Sequence, residues 1–109
     1  MMVEVSPISV EQLNEKMIAQ ENFYLLDVRN EWEYSLCHLP HSIHIPLKDL
    51  EYKLELLPLN MAIIVLCHHG VRSLQAASFL VENGFKEVFN LEGGIHQWAK
   101  KIDSQLVLY

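Results

Sequence analysis

The stretch Ile63-Ile64-Val65-Leu66-Cys67-His68-His69-Gly70-Val71-Arg72-Ser73 decides the fold. Its first four residues form an apolar run with no polar alternation. A run of that length predicts a strand buried on both faces, and Met61 and Ala62 extend it, giving a strand over 61–66. A loop follows Cys67, and a helical pattern begins at Ser73 and runs to Asn83. Leu74, Ala77 and Val81 lie at core spacing in that helix, and Gly84 fits the position just past its end.

The same stretch carries the chemistry. A helix N-terminus presents unpaired backbone N–H groups and a partial positive charge. A ring of N–H groups around the Cys67 sulfur, with Arg72 at its rim, favours an anion. Such surroundings make a cysteine thiolate available near neutral pH. Gly70 suits a tight loop that needs positive φ. Counting both ends, Cys67 to Arg72 is a six-residue loop of the form Cys-x4-Arg. A cradle that small suits one added sulfur atom better than a whole phosphate or arsenate.

Outward from the loop, strands and helices alternate, as in α/β proteins. Val3–Val5 is expected as a short first strand. Ser9 with Gln12 three residues on reads as a capping box, opening a helix to about Gln20 with Leu13, Met17 and Ile18 facing inward. Tyr24–Val28 reads as a second buried strand. Asn30 caps a short helix over Glu31–Leu36. Ile43–Ile45 is a brief strand stopped by Pro46, and a helix or helical turn covers Lys48–Leu56. Glu87–Asn90 is the last strand, Gly93-Gly94 a turn, and Ile95 to Ile102 the last helix. Residues 103–109 read as a tail without assigned structure. The alternation implies mainly parallel pairing with right-handed crossovers, and ligands in such sheets gather at the carboxyl ends of strands. Cys67 lies at one such end, and Asp27 and Arg29 at another.

Length and composition set bounds on function. The 109 residues suit one domain, spanning 1–109 with its core at about 6–101, and half of them are hydrophobic. A net charge of −6 argues against a nucleic-acid partner. No apolar run approaches a membrane span, and the N-terminus lacks the pattern of a secretory signal, so the expected location is cytoplasmic. Two cysteines do not make a disulfide framework.

With the loop and its flanks in view, the chain resembles the rhodanese-like sulfurtransferases. Leu25-Leu26-Asp27-Val28-Arg29 is similar to the family's Asp-x-Arg strand end. Glu31-Trp32-Glu33-Tyr34, His38-Leu39-Pro40 and Ile45-Pro46-Leu47 are similar to its following segment. Leu91-Glu92-Gly93-Gly94-Ile95 with Trp98 is similar to its closing turn and helix. The resemblance runs from about Ser6 to Lys101. It implies a three-layer fold, with a mainly parallel central sheet and helices on both faces. It also implies that Cys67 carries sulfur as a persulfide, from a donor such as thiosulfate to a thiol or to cyanide, with no metal or organic cofactor. Phosphatases of this fold have a loop one residue longer, so the short loop favours sulfur.

Each site residue has two readings. Cys67 is either the nucleophile or a small buried core residue, and its place at the strand–loop border favours the first. Arg72 is expected to bind the anionic donor, which would offset the cost of a cation at a helix start. His68 and His69 are either exposed polar residues or groups that set charge around the donor. Gly70 and Val71 are expected to supply backbone N–H groups, and Ser73 to start the helix. The resemblance assigns Asp27 and Arg29 to bracing the scaffold, with Glu33 as a partner for Arg29. Cys37 and His41 stand where the family commonly has small residues or glycine. Cys37 is open to a resolving-thiol role, and the turn around Pro40 to a local difference. Zinc held by Cys37-His38 with Cys67-His68-His69 matches no short structural zinc spacing. Trp98 is expected in the core. The expected partners are a small sulfur-donor anion and a protein sulfur donor or acceptor, with no nucleic acid and no membrane. The rival functions are a non-catalytic binding module, a phosphatase or arsenate reductase, and a Cys37–Cys67 redox couple.

Overall fold

The computed structural model describes residues 4–109. Five strands form one sheet: β1 (Ser6–Ile8), β2 (Tyr24–Asp27), β3 (Ile43–His44), β4 (Ile63–Leu66) and β5 (Val88–Leu91). Their spatial order is β1-β5-β4-β2-β3, and every neighbouring pair is parallel. Four α-helices complete it: α1 (Val10–Ile18), α2 (Glu31–Leu36), α3 (Val71–Glu82) and α4 (Gly94–Lys101).

The 61–66 strand takes the centre of the sheet, as its apolar run requires. All four residues of β4 are buried, and they alternate between two cores. Ile63 and Val65 point into a cluster with Leu26, Ala76, Ala77 and Leu80. Ile64 and Leu66 point into another with Leu13, Leu25, Ile95 and Trp98. A period-2 strand with apolar residues at every position must be covered on both faces. Here α3 covers one face and α1 with α4 the other. Trp98 lies in the core, as expected.

Several boundaries differ from expectation. The first strand is Ser6–Ile8, not Val3–Val5; Glu4 and Val5 precede it, and Val3 lies outside the described residues. Pro7 obscures this strand in the sequence, but it is tolerated because β1 is an edge strand. Helix α1 ends at Ile18, which is 74% exposed and not part of the core. The segment after Pro46 is not an α-helix but two short 3₁₀ pieces, Leu47–Tyr52 and Leu54–Leu56, broken at Lys53. Helix α3 starts at Val71 rather than Ser73, because Gly70 caps it in the left-handed region at φ 105°. The face it buries is Ser73, Ala76, Ala77 and Leu80, whereas Leu74 is half exposed. Small residues at these positions let α3 lie close to the sheet. His41 keeps a left-handed φ of 65°, so the turn after Pro40 forms without glycine.

A buried ion pair anchors the end of β2. Arg29 and Asp27 have fully buried side chains, 2.7 Å apart at Nη2–Oδ2. The Arg29 Nε also donates to both carboxylate oxygens of Asp27. Its remaining N–H groups donate to the carbonyls of Glu33 and Cys37 and to the Tyr109 hydroxyl. Burial alone would lower the Arg29 pKa; the bonds to Asp27 and its charge outweigh that and raise it. Removing one partner would leave the other charge buried. Asp27→Ala is therefore expected to lose about 3–5 kcal/mol of stability, read as a lower urea midpoint.

Candidate active site

Cys67 stands directly after β4 and is 1% exposed. The Gly70 N–H donates to its Sγ at 3.1 Å and the Ser73 N–H at 3.3 Å. The Ser73 Oγ lies 3.3 Å from the same sulfur. The two N–H groups stabilise negative charge on the sulfur. The Val71 N–H is not among these donors, and the Val71 side chain is 78% exposed. Ser73 lies in the first turn of α3, so its role is to face the sulfur, not to open the helix.

Asn90, on β5, holds this cradle in shape and went unnoticed in the sequence. Its Oδ1 accepts from the Ser73 hydroxyl, and its Nδ2 donates to the Gly70 carbonyl at 3.2 Å. The signal was a polar residue in an apolar strand. It is buried, so its amide needs partners.

Helix α4 closes the base of the loop. The Ile95 N–H donates to the Cys67 carbonyl at 2.9 Å and the His96 N–H to the His68 carbonyl at 3.1 Å. Gly94 makes this approach possible: a Cβ there would lie 2.4 Å from the His68 oxygen and 2.5 Å from the Cys67 oxygen. The Gly93-Gly94 turn is thus a packing requirement of the nucleophile loop.

Arg72 meets a carboxylate at the start of α3. Its guanidinium forms a two-pronged pair with Glu33, at 2.6 and 2.9 Å. Glu33 offsets the cost of a cation at the start of α3. The expected Arg29–Glu33 carboxylate pair is absent; Arg29 reaches only the Glu33 backbone carbonyl. Glu33 also accepts the Asn30 N–H at 3.0 Å and so caps α2. The hydrogen bond from Arg72 holds the Glu33 carboxyl at about 2, far below its usual range.

The 103–109 segment is part of the site. The Tyr109 hydroxyl donates to Glu33 Oε2 at 2.7 Å and accepts from Arg29 Nη1 at 2.9 Å. Its ring stacks on His68 at 3.9 Å and meets Trp32 edge-on at 5.7 Å. Burial pushes the Tyr109 hydroxyl up to about 12, so it keeps its proton at neutral pH and donates it in the hydrogen bond to Glu33. Burial, and then the neighbouring His69, lowers the His68 pKa, which favours a neutral ring. His69 is exposed. Both cysteines are free and buried, and the Cys37 thiol faces the Val107 carbonyl at 3.7 Å. Among the described residues, no helix is long and apolar enough to cross a membrane.

The depressed Glu33 carboxyl contributes stability that is fully present above its unfolded pKa of about 4.5 and is lost as pH falls through about 2. Glu33→Gln is expected to be less stable at pH 7, and to lose less further stability than the native chain between those values. Urea midpoints taken across that range check both.

Comparison with known proteins accords with this geometry. The rhodanese-like domain family model matches residues 9–101. The chain is 38% identical over 96 residues to YtwF of Bacillus subtilis, covering 88% of this chain and 92% of that one. It is 30% identical over 84 residues to the thiosulfate sulfurtransferase GlpE of Vibrio cholerae, covering 77% and 79%. It spans about half, 54%, of another Bacillus subtilis relative, YrkF. Among solved structures, a rhodanese-like domain protein from Staphylococcus aureus superposes with a TM-score of 0.84 at 27% identity, covering 96% of this chain and 99% of that one. A parallel sheet covered on both faces, a cysteine loop at the end of its central strand and a family match over most of the chain lead to one conclusion: this protein belongs to the rhodanese-like domain family.

Proposed function

We propose that this protein is a sulfurtransferase that carries sulfur on Cys67. The observation that carries the reading is the Cys67 Sγ at a strand end, with the Gly70 and Ser73 N–H groups directed at it. In the first half-reaction the thiolate attacks the outer sulfur of thiosulfate. A Cys67–sulfur bond forms, the sulfur–sulfur bond of the donor breaks, and sulfite leaves with the electron pair. In the second, a thiolate or cyanide takes the terminal sulfur and Cys67 is restored as a thiolate. The cycle consumes no redox equivalents and needs no general base once the thiolate is present. The cradle N–H groups stabilise charge on the outer sulfur in the transition state. A relative named as a thiosulfate sulfurtransferase supports this donor class. A cytoplasmic setting, where thiols stay reduced, would suit a chain whose two buried cysteines are unpaired.

Asp27 and Arg29 brace the loop indirectly, by holding Glu33 and Tyr109, which meet Arg72 and His68. Arg72, His68 and His69 are the side chains of the loop that would meet a donor. An anionic donor must share Arg72 with Glu33. Burial of Cys67 favours a second reading, a binding module in which the thiol plays no part. The open rim around the exposed His69 leaves room for a protein donor or acceptor.

Intact mass after incubation with thiosulfate tests the first half-reaction. The native chain is expected to gain about one sulfur atom, ~32 Da, reversed by cyanide, while Cys67→Ser gains nothing. A folded native chain that takes no sulfur from thiosulfate or from a persulfide donor, and whose Cys67 resists alkylation, is the binding module instead. A second expectation concerns Glu33. Glu33→Gln removes the charge that competes for Arg72, so the KM for thiosulfate should fall severalfold, measured by steady-state thiocyanate formation.

A further inference from the structure

His68, His69 and His96 come together beside the cysteine loop. Each offers one ring nitrogen, and these lie within 4.8 Å of one another. His68 and His69 follow Cys67 in the loop, whereas His96 comes from the first turn of α4. Sequence spacing cannot reveal this set, because His96 lies 27 positions after His69 and no short metal motif links them. The backbone bond from His96 N–H to the His68 carbonyl fixes the two segments against each other. The rings are close as well: centroids are 4.0 Å apart for His68–His69, 4.8 Å for His69–His96 and 5.7 Å for His68–His96.

Two buried ring nitrogens here lack a partner. His68 Nε2 and His96 Nδ1 are shielded from solvent and make no hydrogen bond. Among the described residues, they are the two buried side-chain polar atoms left in this state. Buried polar atoms are normally satisfied, and an orphan calls for a water, an ion or a ligand. The contrast with the other histidines is informative. His38 Nδ1 bonds the Tyr34 carbonyl, His44 Nε2 bonds the Arg29 carbonyl, and both rings stack on Tyr34.

We propose that His68, His69 and His96 form a binding site for a zinc-class divalent cation. Imidazole nitrogens suit Zn²⁺, Ni²⁺ and Cu²⁺. A tetrahedral zinc with Zn–N bonds of ~2.0 Å needs ligand nitrogens about 3.3 Å apart, so the rings must close by up to about 1.5 Å. His69 is exposed, which leaves its side chain room to move. Three histidines leave a fourth position for water or an incoming anion. Cys67 is not part of the set: its sulfur already accepts two backbone N–H groups within its own cradle. The ion would sit at the mouth of the loop, where it adds positive charge that Arg72, paired with Glu33, does not supply. The site shares the loop with the sulfur-transfer reading but rests on the three histidines alone, so it survives that reading's failure.

The test uses the full chain, stripped of metal with a chelator and titrated with Zn²⁺ against a competing chromophoric chelator. One equivalent is expected to bind. His96→Asn and, separately, His69→Asn should each weaken binding at least about tenfold, since even outer-shell changes cost metal sites that much. His41→Asn and Cys67→Ser should leave affinity unchanged. Co²⁺ as the probe should give visible d–d absorption without the near-ultraviolet band of a thiolate ligand. The proposal is overturned by no binding to the folded native chain, by unchanged affinity in both histidine variants, or by a thiolate band that Cys67→Ser abolishes. Circular dichroism of each variant confirms that it is folded, and His69, being exposed, keeps the test available if His96→Asn is not.

Discussion

The position of Arg29 constrains everything around the site. Its guanidinium is fully buried, and it binds Asp27 at the end of β2, the carbonyls of Glu33 within α2 and Cys37 at its C-terminus, and Tyr109 in the closing segment. The His44 ring on β3 bonds its carbonyl. A guanidinium has five N–H donors in a rigid fork, so each neighbour is held in direction as well as distance. A buried cation without these partners would be prohibitively costly, which forces α2 and the closing segment into place. Glu33 and Tyr109 reach the cysteine loop only because Arg29 fixes the pieces that carry them.

Charge around the sulfur is then set in layers. The cradle itself uses backbone N–H groups, whose charge does not titrate. Arg72 lies one step out and is already matched by Glu33. Glu33 in turn receives the Tyr109 hydroxyl. A site arranged this way places a positive charge near the sulfur, partly exposed and already neutralised by its carboxylate partner. Asn90 gives the cradle rigidity without charge, by tying Ser73 to Gly70 across the sheet.

What could be read from the sequence was local. The Ser9–Gln12 capping box forms as its spacing implies, and Glu33 caps Asn30 in the same three-residue register. The buried β4 run, the cysteine at its end and the glycine before α3 lie within eleven consecutive residues, so their order alone gives the geometry. What stayed hidden was pairing across the fold. Arg72 and Glu33 are 39 positions apart, and Tyr109 and Arg29 are 80 apart. Nothing in the spacing chooses Arg72 over Arg29 as the partner of the Glu33 carboxylate. The 103–109 segment has no periodicity, because its order comes from contacts made by Tyr109 and Leu106 rather than from a repeating pattern. The first strand was misplaced because Pro7 argues against a strand unless its edge position is known.

The strand order has a consequence for how the chain is made. Strand β1 has a single neighbour, β5, with Ser6 opposite Phe89 and Ile8 opposite Leu91. Strands β2 and β4 can associate as soon as both have left the ribosome, but β1 has no template until β5 follows. At roughly 5–20 residues per second, the intervening stretch of about 80 residues takes on the order of 4–16 seconds to synthesise. For that time the apolar side chain of Ile8 and the open edge of β1 lack their native cover. Pro7, which interrupts the row of N–H donors on that edge, makes the waiting strand a poor template for foreign chains. The residue that obscures the strand in the sequence thus protects it while it waits for its partner.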